Sequence, residues 1–141
     1  MLERFYVTPK DGYTRKGFYT PVVVVRTSEI VHIYVAGRTA RLKNGEVSGK
    51  GDMRTQIRLT CENLEAALQS VGATLADVVR TETFTTDMDE YFRHADERFR
   101  FFKEPLPTSA MLGVARLSKP DMLVEIVVEA VMEPGRLKIE Q

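Results

Sequence analysis

Apolar residues alternate or run together in five short stretches, a pattern that is typical of β-strands. The predicted strands are residues 21–25, 30–36, 78–85, 109–117 and 123–132. Alternation divides the last stretch into two faces, which are Val124, Ile126, Val128, Ala130 and Met132 on one side and Leu123, Glu125, Val127, Glu129 and Val131 on the other. Two glutamates among aliphatic residues indicate that this second face is partly buried, with Glu125 or Glu129 in a crevice.

Two other stretches have the apolar period of amphipathic helices. The first follows Asp52, which is suited to cap a helix N-terminus, and ends at Gly72. Its apolar stripe consists of Ile57, Cys61, Leu64, Leu68 and Val71. The second covers residues 88–103, and its stripe consists of Tyr91, Ala95, Phe99 and Phe102. We expect both stripes to form core, with the Cys61 thiol buried and inert.

The order of these elements, β-β-α-β-α-β-β, predicts an α+β sandwich with two helices packed on one face of a sheet. In the strand at residues 30–36, both faces are largely apolar. Helices from one small chain can cover only one face of its sheet, so the opposite face is predicted to meet another subunit. Residues 1–20 mix charges, glycines and aromatics, which predicts an extended N-terminal arm with turns.

Length and charge narrow the class of protein. The 141 residues suffice for one core, so we predict a single domain over residues 1–141. Twenty basic and twenty acidic residues cancel, which leaves no overall field to recruit nucleic acid or an anionic membrane. No apolar run has signal-peptide or membrane-span length, and one cysteine permits no intrachain disulfide. We expect a cytoplasmic protein that binds a small molecule, with no nucleic-acid or membrane partner.

Specific motifs lie in the second half of the chain. The stretch from Pro105 to Val131 contains P-x-x-x-x-x-x-V-A-R-L and then P-x-x-L-V-E-I-x-x-x-A. Three earlier stretches agree with the same family pattern, at residues 35–37, 56–64 and 72–88. In these motifs the chain resembles the Rid family (YjgF type), the reactive-intermediate imine and enamine deaminases. The resemblance implies the chorismate-mutase-like fold, a homotrimer, and ligand clefts between adjacent subunits.

The resemblance also implies a catalytic carboxylate. Imine hydrolysis needs a cation for the substrate carboxylate and a group that positions water against the C=N carbon, but neither metal nor organic cofactor. The family glutamate matches Glu125 in the L-V-E-I motif. On the residues alone, an ion pair between Glu125 and Arg80 or Arg116 is an equally good interpretation.

The chain departs from the family at the position of the cation. Family deaminases carry an arginine two residues after the proline that matches Pro107, and this chain has Ser109 there. Ser109 can hydrogen-bond a ligand but cannot neutralise a carboxylate. Arg38 follows Gly37 at a place near the cleft where the family usually has Ser-Gly-Gln. Gly37 and Arg38 are therefore both assigned to ligand binding. We hypothesise that Arg38 supplies the missing charge, and the alternative is an ordinary solvated arginine at a strand end.

Aromatic and apolar residues complete the candidate site. Tyr19 corresponds loosely to a family tyrosine before the first strand. Tyr91 stands where the family has an aromatic in D-M-x-x-F, so it is either core or pocket wall. Ala110 and Met111 replace small polar family residues beside Ser109, which predicts a more apolar wall there.

Two functions therefore remain open. One is deaminase-like hydrolysis of an imine or enamine, and the other is non-catalytic binding or sensing of a metabolite, which suits the lost arginine. A metal site is not expected, because His32 and His94 are isolated. A ribonuclease would use the basic residues Arg38, Arg41, Lys43, Lys50, Arg54 and Arg58. The interleaved aromatics expected of single-strand binding are missing from that stretch.

Overall fold

The computed structural model describes residues 1–140 and contains a six-stranded mixed sheet. Its strands are β1 Glu3–Val7, β2 Val22–Arg26, β3 Val31–Arg38, β4 Val78–Thr85, β5 Thr108–Gly113 and β6 Val124–Met132. The order across the sheet is β1-β2-β3-β6-β4-β5, in which β4 and β5 run parallel and all other neighbours are antiparallel. The predicted α+β sandwich is confirmed, although β5 ends at Gly113 rather than at Leu117.

β1 lies inside the predicted N-terminal arm and was not predicted as a strand. It pairs with β2 from Glu3, opposite Arg26, to Val7, opposite Val22. Arg26 Nε donates a hydrogen bond to the Glu3 carboxylate at 2.9 Å. An edge strand of this kind carries charged side chains and has no continuous apolar run, so its pattern in the sequence is weak.

α1, Met53–Gln69, matches the first predicted helix. The Asp52 carboxylate accepts a hydrogen bond from the Thr55 backbone N–H at 3.1 Å and caps the N-terminus as predicted. The apolar stripe is buried and packs on β3 and β6. Cys61 is fully buried within it, as expected.

The second predicted helix is two shorter pieces, α2 at Met88–Arg93 and a 3₁₀ helix at Ala95–Arg100. The helix breaks at His94, where φ is −120° and ψ is 13°. A 3₁₀ helix has three residues per turn, so the buried side no longer follows the α-helical stripe. Arg98 is consequently buried and Phe99 is 54% exposed. The prediction that Phe99 lies in the core is therefore wrong.

The core fills the space between the helices and the inner face of the sheet. β6 lies in the middle of the sheet, and its alternate residues from Val124 to Met132 are buried as predicted. Its other face, which includes Glu125 and Glu129, is half-buried. Within residues 1–140, no helix has the length and hydrophobicity that a membrane span requires.

Candidate functional site

A cavity of about 400 Å³ lies where β3 ends, under the N-terminal arm and beside the segment that leads into β6. Its lining comprises Gly12, Tyr13, Arg15, Phe18, Tyr19, Ala36, Gly37, Arg38, Thr39, Arg41, Asn63, Ser118, Met122 and Glu125. The cavity brings together four of the six site residues predicted from the sequence, namely Glu125, Arg38, Gly37 and Tyr19. Its volume is in the range of small-molecule sites.

A β-bulge in β3 directs Arg38 inward. β3 and β6 pair in register as far as Val35, which lies opposite Val128, but Arg38 lies opposite Ile126. One extra residue of β3 is therefore accommodated, and a bulge of this kind changes the side to which the following side chain points. Arg38 shares the core side of the sheet with Ile126 instead of the outer side with His32, and it is only 6% exposed. It is therefore not an ordinary solvated arginine.

The buried guanidinium of Arg38 lacks a counterion. Its Nη1 donates to the carbonyl oxygen of Tyr13 at 3.1 Å, whereas its buried Nε has no hydrogen-bond partner. No carboxylate within residues 1–140 forms an ion pair with it. Burial lowers the pKa of Arg38, and the nearby Tyr19 raises it to a smaller extent. A buried, partly unsatisfied cation of this kind is suited to bind an anion that enters the cavity.

The carboxyl group of Glu125 is close to Gly37. A β-carbon built on Gly37 would lie 2.8 Å from Glu125 Cδ, which is closer than real β-carbons approach. The absence of a side chain at Gly37 therefore makes room for the carboxyl group. Burial raises the pKa of Glu125, which retains its proton to a higher pH than an exposed glutamate does.

Glu125 has no partner among the side chains of residues 1–140, so the ion-pair interpretation is wrong. Arg80 binds Glu129 instead, with Nη1 3.0 Å from Oε2. Arg116 donates to the backbone carbonyl oxygens of Leu117 and Ser118. The Glu125 carboxyl group thus remains available to a ligand or to water.

Two polar residues of α1 hold the segments on either side of the cavity. Asn63 Nδ2 donates to the carbonyl oxygens of Thr39 and Arg41, at 2.8 and 3.0 Å. Gln56 Nε2 donates to the carbonyl oxygen of Asp121 at 2.8 Å, in the segment before β6. Sequence reasoning missed both positioning residues. The available signal was their separation of seven residues, which places them on one side of the helix.

The N-terminal arm covers the cavity through Tyr13, which was also missed. The Arg41 guanidinium lies over the Tyr13 ring, 3.8 Å from its centroid. Gly45 has a φ of 93°, and a β-carbon there would lie 3.0 Å from Tyr13 Cε1. Two arginines therefore hold the arm, since Arg38 binds the Tyr13 carbonyl and Arg41 stacks on its ring.

Comparisons with known proteins identify the family. The sequence profile of the family described as Endoribonuclease L-PSP matches residues 16–132. A RutC family protein from Pyrococcus abyssi is 33% identical over 95 residues, which cover 67% of this chain and 73% of the relative. An Escherichia coli protein provisionally named reactive intermediate deaminase TdcF is 32% identical over 92 residues, 63% of this chain and 69% of the relative. This chain belongs to the Rid family.

Solved structures show that the fold is also that of Rid proteins. A Thermotoga maritima protein provisionally described as an endoribonuclease superposes with a TM-score of 0.81 and 28% identity, covering 92% of this chain and 98% of the other. A Mycobacterium tuberculosis member of the YjgF family gives a TM-score of 0.73 and 32% identity, covering 92% of this chain and 100% of the other. The fold assigned from the Rid motifs is thereby confirmed.

Two of the predicted site residues do not line the cavity of this Rid protein. Ser109 is exposed on β5, at the edge of the sheet, opposite Thr81. Ala110 and Met111 lie beside it on the same strand, so they add no apolar wall to this cavity. Tyr91 is 2% exposed, and its hydroxyl accepts a hydrogen bond from Arg98 Nη1 at 3.1 Å. The assignment of Tyr91 to ligand binding is corrected, because it belongs to the core.

Proposed function

We propose that this Rid protein hydrolyses small 2-imino acids, or the enamines in equilibrium with them, to 2-oxo acids and ammonia. One observation carries the proposal: Arg38 and Glu125 line the same cavity, and neither has an oppositely charged partner within residues 1–140. A cation without a counterion and a carboxyl group with a raised pKa are the two groups that this hydrolysis needs.

Arg38 binds the substrate carboxylate through its guanidinium and places the C=N carbon toward Glu125. The Glu125 carboxylate accepts a proton from a water molecule as the water oxygen bonds to that carbon, and the proton passes to nitrogen. In the resulting carbinolamine, the hydroxyl proton passes through the Glu125 carboxylate to the amino nitrogen, so that the C=O bond forms as the C–N bond breaks and ammonia leaves. Each cycle consumes one imine and one water and leaves Glu125 as it began.

The raised pKa of Glu125 supports this role. A carboxyl group transfers protons most effectively when its pKa lies near the pH at which it operates, and burial moves the pKa of Glu125 in that direction. Arg38 in turn takes the part that the family arginine plays elsewhere, from β3 instead of β5.

RNA cleavage, which the name of the family profile suggests, is less well supported. Basic side chains on and before α1 are partly neutralised within the chain. Arg54 Nη2 lies 2.8 Å from Asp96 Oδ1, and Lys50 Nζ lies 3.8 Å from Asp121 Oδ2. The unpaired cation Arg38 lies inside a cavity that suits a small molecule.

We also propose that copies of the chain associate through the outer face of the sheet, as the homotrimer that the Rid resemblance implies. Val23, Val25 and Val127 are only half-buried on this face, and Tyr34 is 43% exposed. A contribution of Ser109 to the site would require such a neighbour. Light scattering after size exclusion should give a mass of three chains for the wild type and a smaller mass for Val127→Glu, and a monomeric wild type would contradict the proposal.

Release of ammonia from 2-iminopropionate, formed in situ by an amino-acid oxidase, tests the catalytic proposal. The wild type should accelerate release over the spontaneous reaction, and Glu125→Gln should lose the acceleration. Glu129→Gln is the matched control, because Glu129 lies on the same face of β6 but binds Arg80 and His32. It should retain most of the activity.

Three results would count against catalysis of this reaction by the wild type. If the wild type does not exceed the spontaneous rate, the protein is not a deaminase for this imine. If Glu125→Gln leaves the rate of ammonia release as in the wild type and changes only the affinity for pyruvate, sensing of a metabolite becomes the better description. Activity gained by Ser109→Arg alone would assign the present function to another substrate or to binding.

A further inference from the structure

We infer that the cavity selects 2-imino acids whose side chain carries a second carboxylate, and that Arg41 is the residue that binds it. The reaction itself is the one given by the proposed function, on which this inference rests. The class of substrate is inferred from the charges around the cavity.

The cavity has an excess of positive charge. Arg15, Arg38 and Arg41 line it, and Glu125 is its one acidic lining residue among residues 1–140. None of the three arginines forms an ion pair within that part of the chain. A cleft lined by one sign of charge concentrates ligands of the opposite sign, and one carboxylate would leave this excess only partly compensated.

Arg38 is a buried cation without a counterion and lines the same cavity as Glu125, so it is assigned the carboxylate next to the imine carbon. Of the two arginines that remain, Arg15 is exposed on the N-terminal arm, whereas Arg41 is half-buried, so Arg41 is assigned the second anionic group. The two guanidinium groups contact different parts of Tyr13, since one binds its carbonyl oxygen and the other covers its ring.

Arg41 is preorganised for this task. Its Nε donates to the carbonyl oxygen of Gly45 at 2.8 Å, and its guanidinium plane is held against the Tyr13 ring. Its backbone carbonyl is held by Asn63 at 3.0 Å. The two terminal nitrogens donate no hydrogen bond within residues 1–140, so they are available as a fork for a carboxylate. A side chain fixed in this way loses little conformational entropy when it binds.

A pair of substrates of matched length tests the inference. 2-Iminoglutarate, formed from glutamate by glutamate oxidase, carries the second carboxylate, and 2-iminopentanoate, formed from norvaline by an amino-acid oxidase, does not. The wild type should show a kcat/KM at least about tenfold higher for 2-iminoglutarate, since a charge-assisted contact is worth roughly that factor.

Arg41→Gln should reduce this preference to less than about threefold, with the larger loss of kcat/KM falling on 2-iminoglutarate. A circular dichroism spectrum and a melting temperature close to those of the wild type show that the variant is folded. Arg58→Gln is the matched control, because Arg58 is an arginine of α1 that has no ion pair within residues 1–140 and does not line the cavity. It should keep the wild-type preference.

Equal kcat/KM values for the two imines in the wild type, or a preference that survives in Arg41→Gln, would overturn the inference while leaving the hydrolase proposal in place. If neither imine is hydrolysed faster than in buffer, the proposed function fails. Binding of the corresponding 2-oxo acids then tests whether the cavity prefers a ligand with a second carboxylate. Calorimetry should then show tighter binding of 2-oxoglutarate than of 2-oxopentanoate, with the difference lost in Arg41→Gln. Equal binding would overturn the inference.

Discussion

The Glu125 carboxyl group lies over Gly37, so close that a β-carbon on Gly37 would be 2.8 Å from Glu125 Cδ. The two residues come from neighbouring strands, β6 and β3, at the point where the bulge interrupts their pairing. A glycine at this point leaves room for the carboxyl group at the edge of the cavity. The position of the proposed catalytic group is thus coupled to the residue that precedes Arg38.

Gly37→Ala is expected to displace the Glu125 carboxyl group and to lower kcat for imine hydrolysis by about tenfold or more. Stability should change by less than about 1 kcal/mol, because the obstructed atoms belong to the end of a flexible side chain. Turnover assays and urea unfolding measure the two effects.

Gly113→Ala is the control for that substitution. Gly113 is also a strand glycine, and its β-carbon would meet only Met88 Cε, at an ordinary 3.7 Å. It should leave kcat unchanged. In the Glu125→Gln background, Gly37→Ala should cause no further loss of kcat. An additive loss would mean that Gly37→Ala acts independently of the Glu125 carboxyl group.

Glu125→Gln should raise the melting temperature at pH 7. Glu125 in the unfolded chain ionises near pH 4.3, whereas burial raises its pKa in the folded protein. Between the two pKa values the folded state binds more protons than the unfolded state, so its stability falls as the pH rises through this window. Glutamine carries no such penalty.

The gain should therefore shrink as the pH falls toward 4, where Glu125 is mostly protonated in both states. Calorimetry from pH 4 to pH 8 measures it. Glu129→Gln should instead lower the melting temperature at pH 7, because it removes a partner of Arg80 and His32. A loss at pH 7 for Glu125→Gln as well would mean that Glu125 makes a stabilising contact in the folded protein.

Arg38→Met should weaken pyruvate binding at least about tenfold, because a charged hydrogen bond to the carboxylate is lost. Binding of pyruvamide, the neutral analogue, should stay within about twofold. Stability should not fall, since methionine removes a buried guanidinium without a counterion and the lost bond to Tyr13 costs only about 1 kcal/mol. Calorimetric titration measures both affinities. An equal loss of affinity for pyruvate and pyruvamide would show that Arg38 does not recognise the carboxylate.

The Cys61 thiol should not react with a disulfide reagent such as DTNB at pH 8 in the native protein. Burial raises its pKa to about 12, so almost no thiolate is present, and the side chain is inaccessible. In urea, one thiol per chain should react rapidly. Rapid reaction without urea would show that α1 opens readily from the sheet.

The sequence predicted best those elements whose pattern is determined by their own burial. β6 lies between two strands and under α1, so its side chains alternate strictly between core and outer face, and Glu125 falls on the predicted face. α1 has its capping residue where it was predicted and buries the predicted stripe, although it ends at Gln69, three residues before the glycine that was predicted to stop it. The Rid motifs added the match of Glu125 to the family glutamate, which periodicity alone could not provide.

The sequence could not predict features that arise when distant segments meet. The inward direction of Arg38 depends on a bulge in the pairing of β3 with β6, and no local pattern encodes that register. The arrangement of Tyr13 over the cavity depends on Arg41 and Gly45, which lie about thirty residues further along the chain. The burial of Arg98 follows from a helix break at His94 that the apolar stripe gave no reason to expect.

A crystal structure of the protein with pyruvate, the product of 2-iminopropionate hydrolysis, would test the central claim most directly. The pyruvate carboxylate should lie within hydrogen-bond distance of the Arg38 guanidinium, with the carbonyl group beside Glu125. A pyruvate carboxylate bound near Ser109 at the edge of the sheet, away from Arg38, would contradict the claim that Arg38 replaces the family arginine.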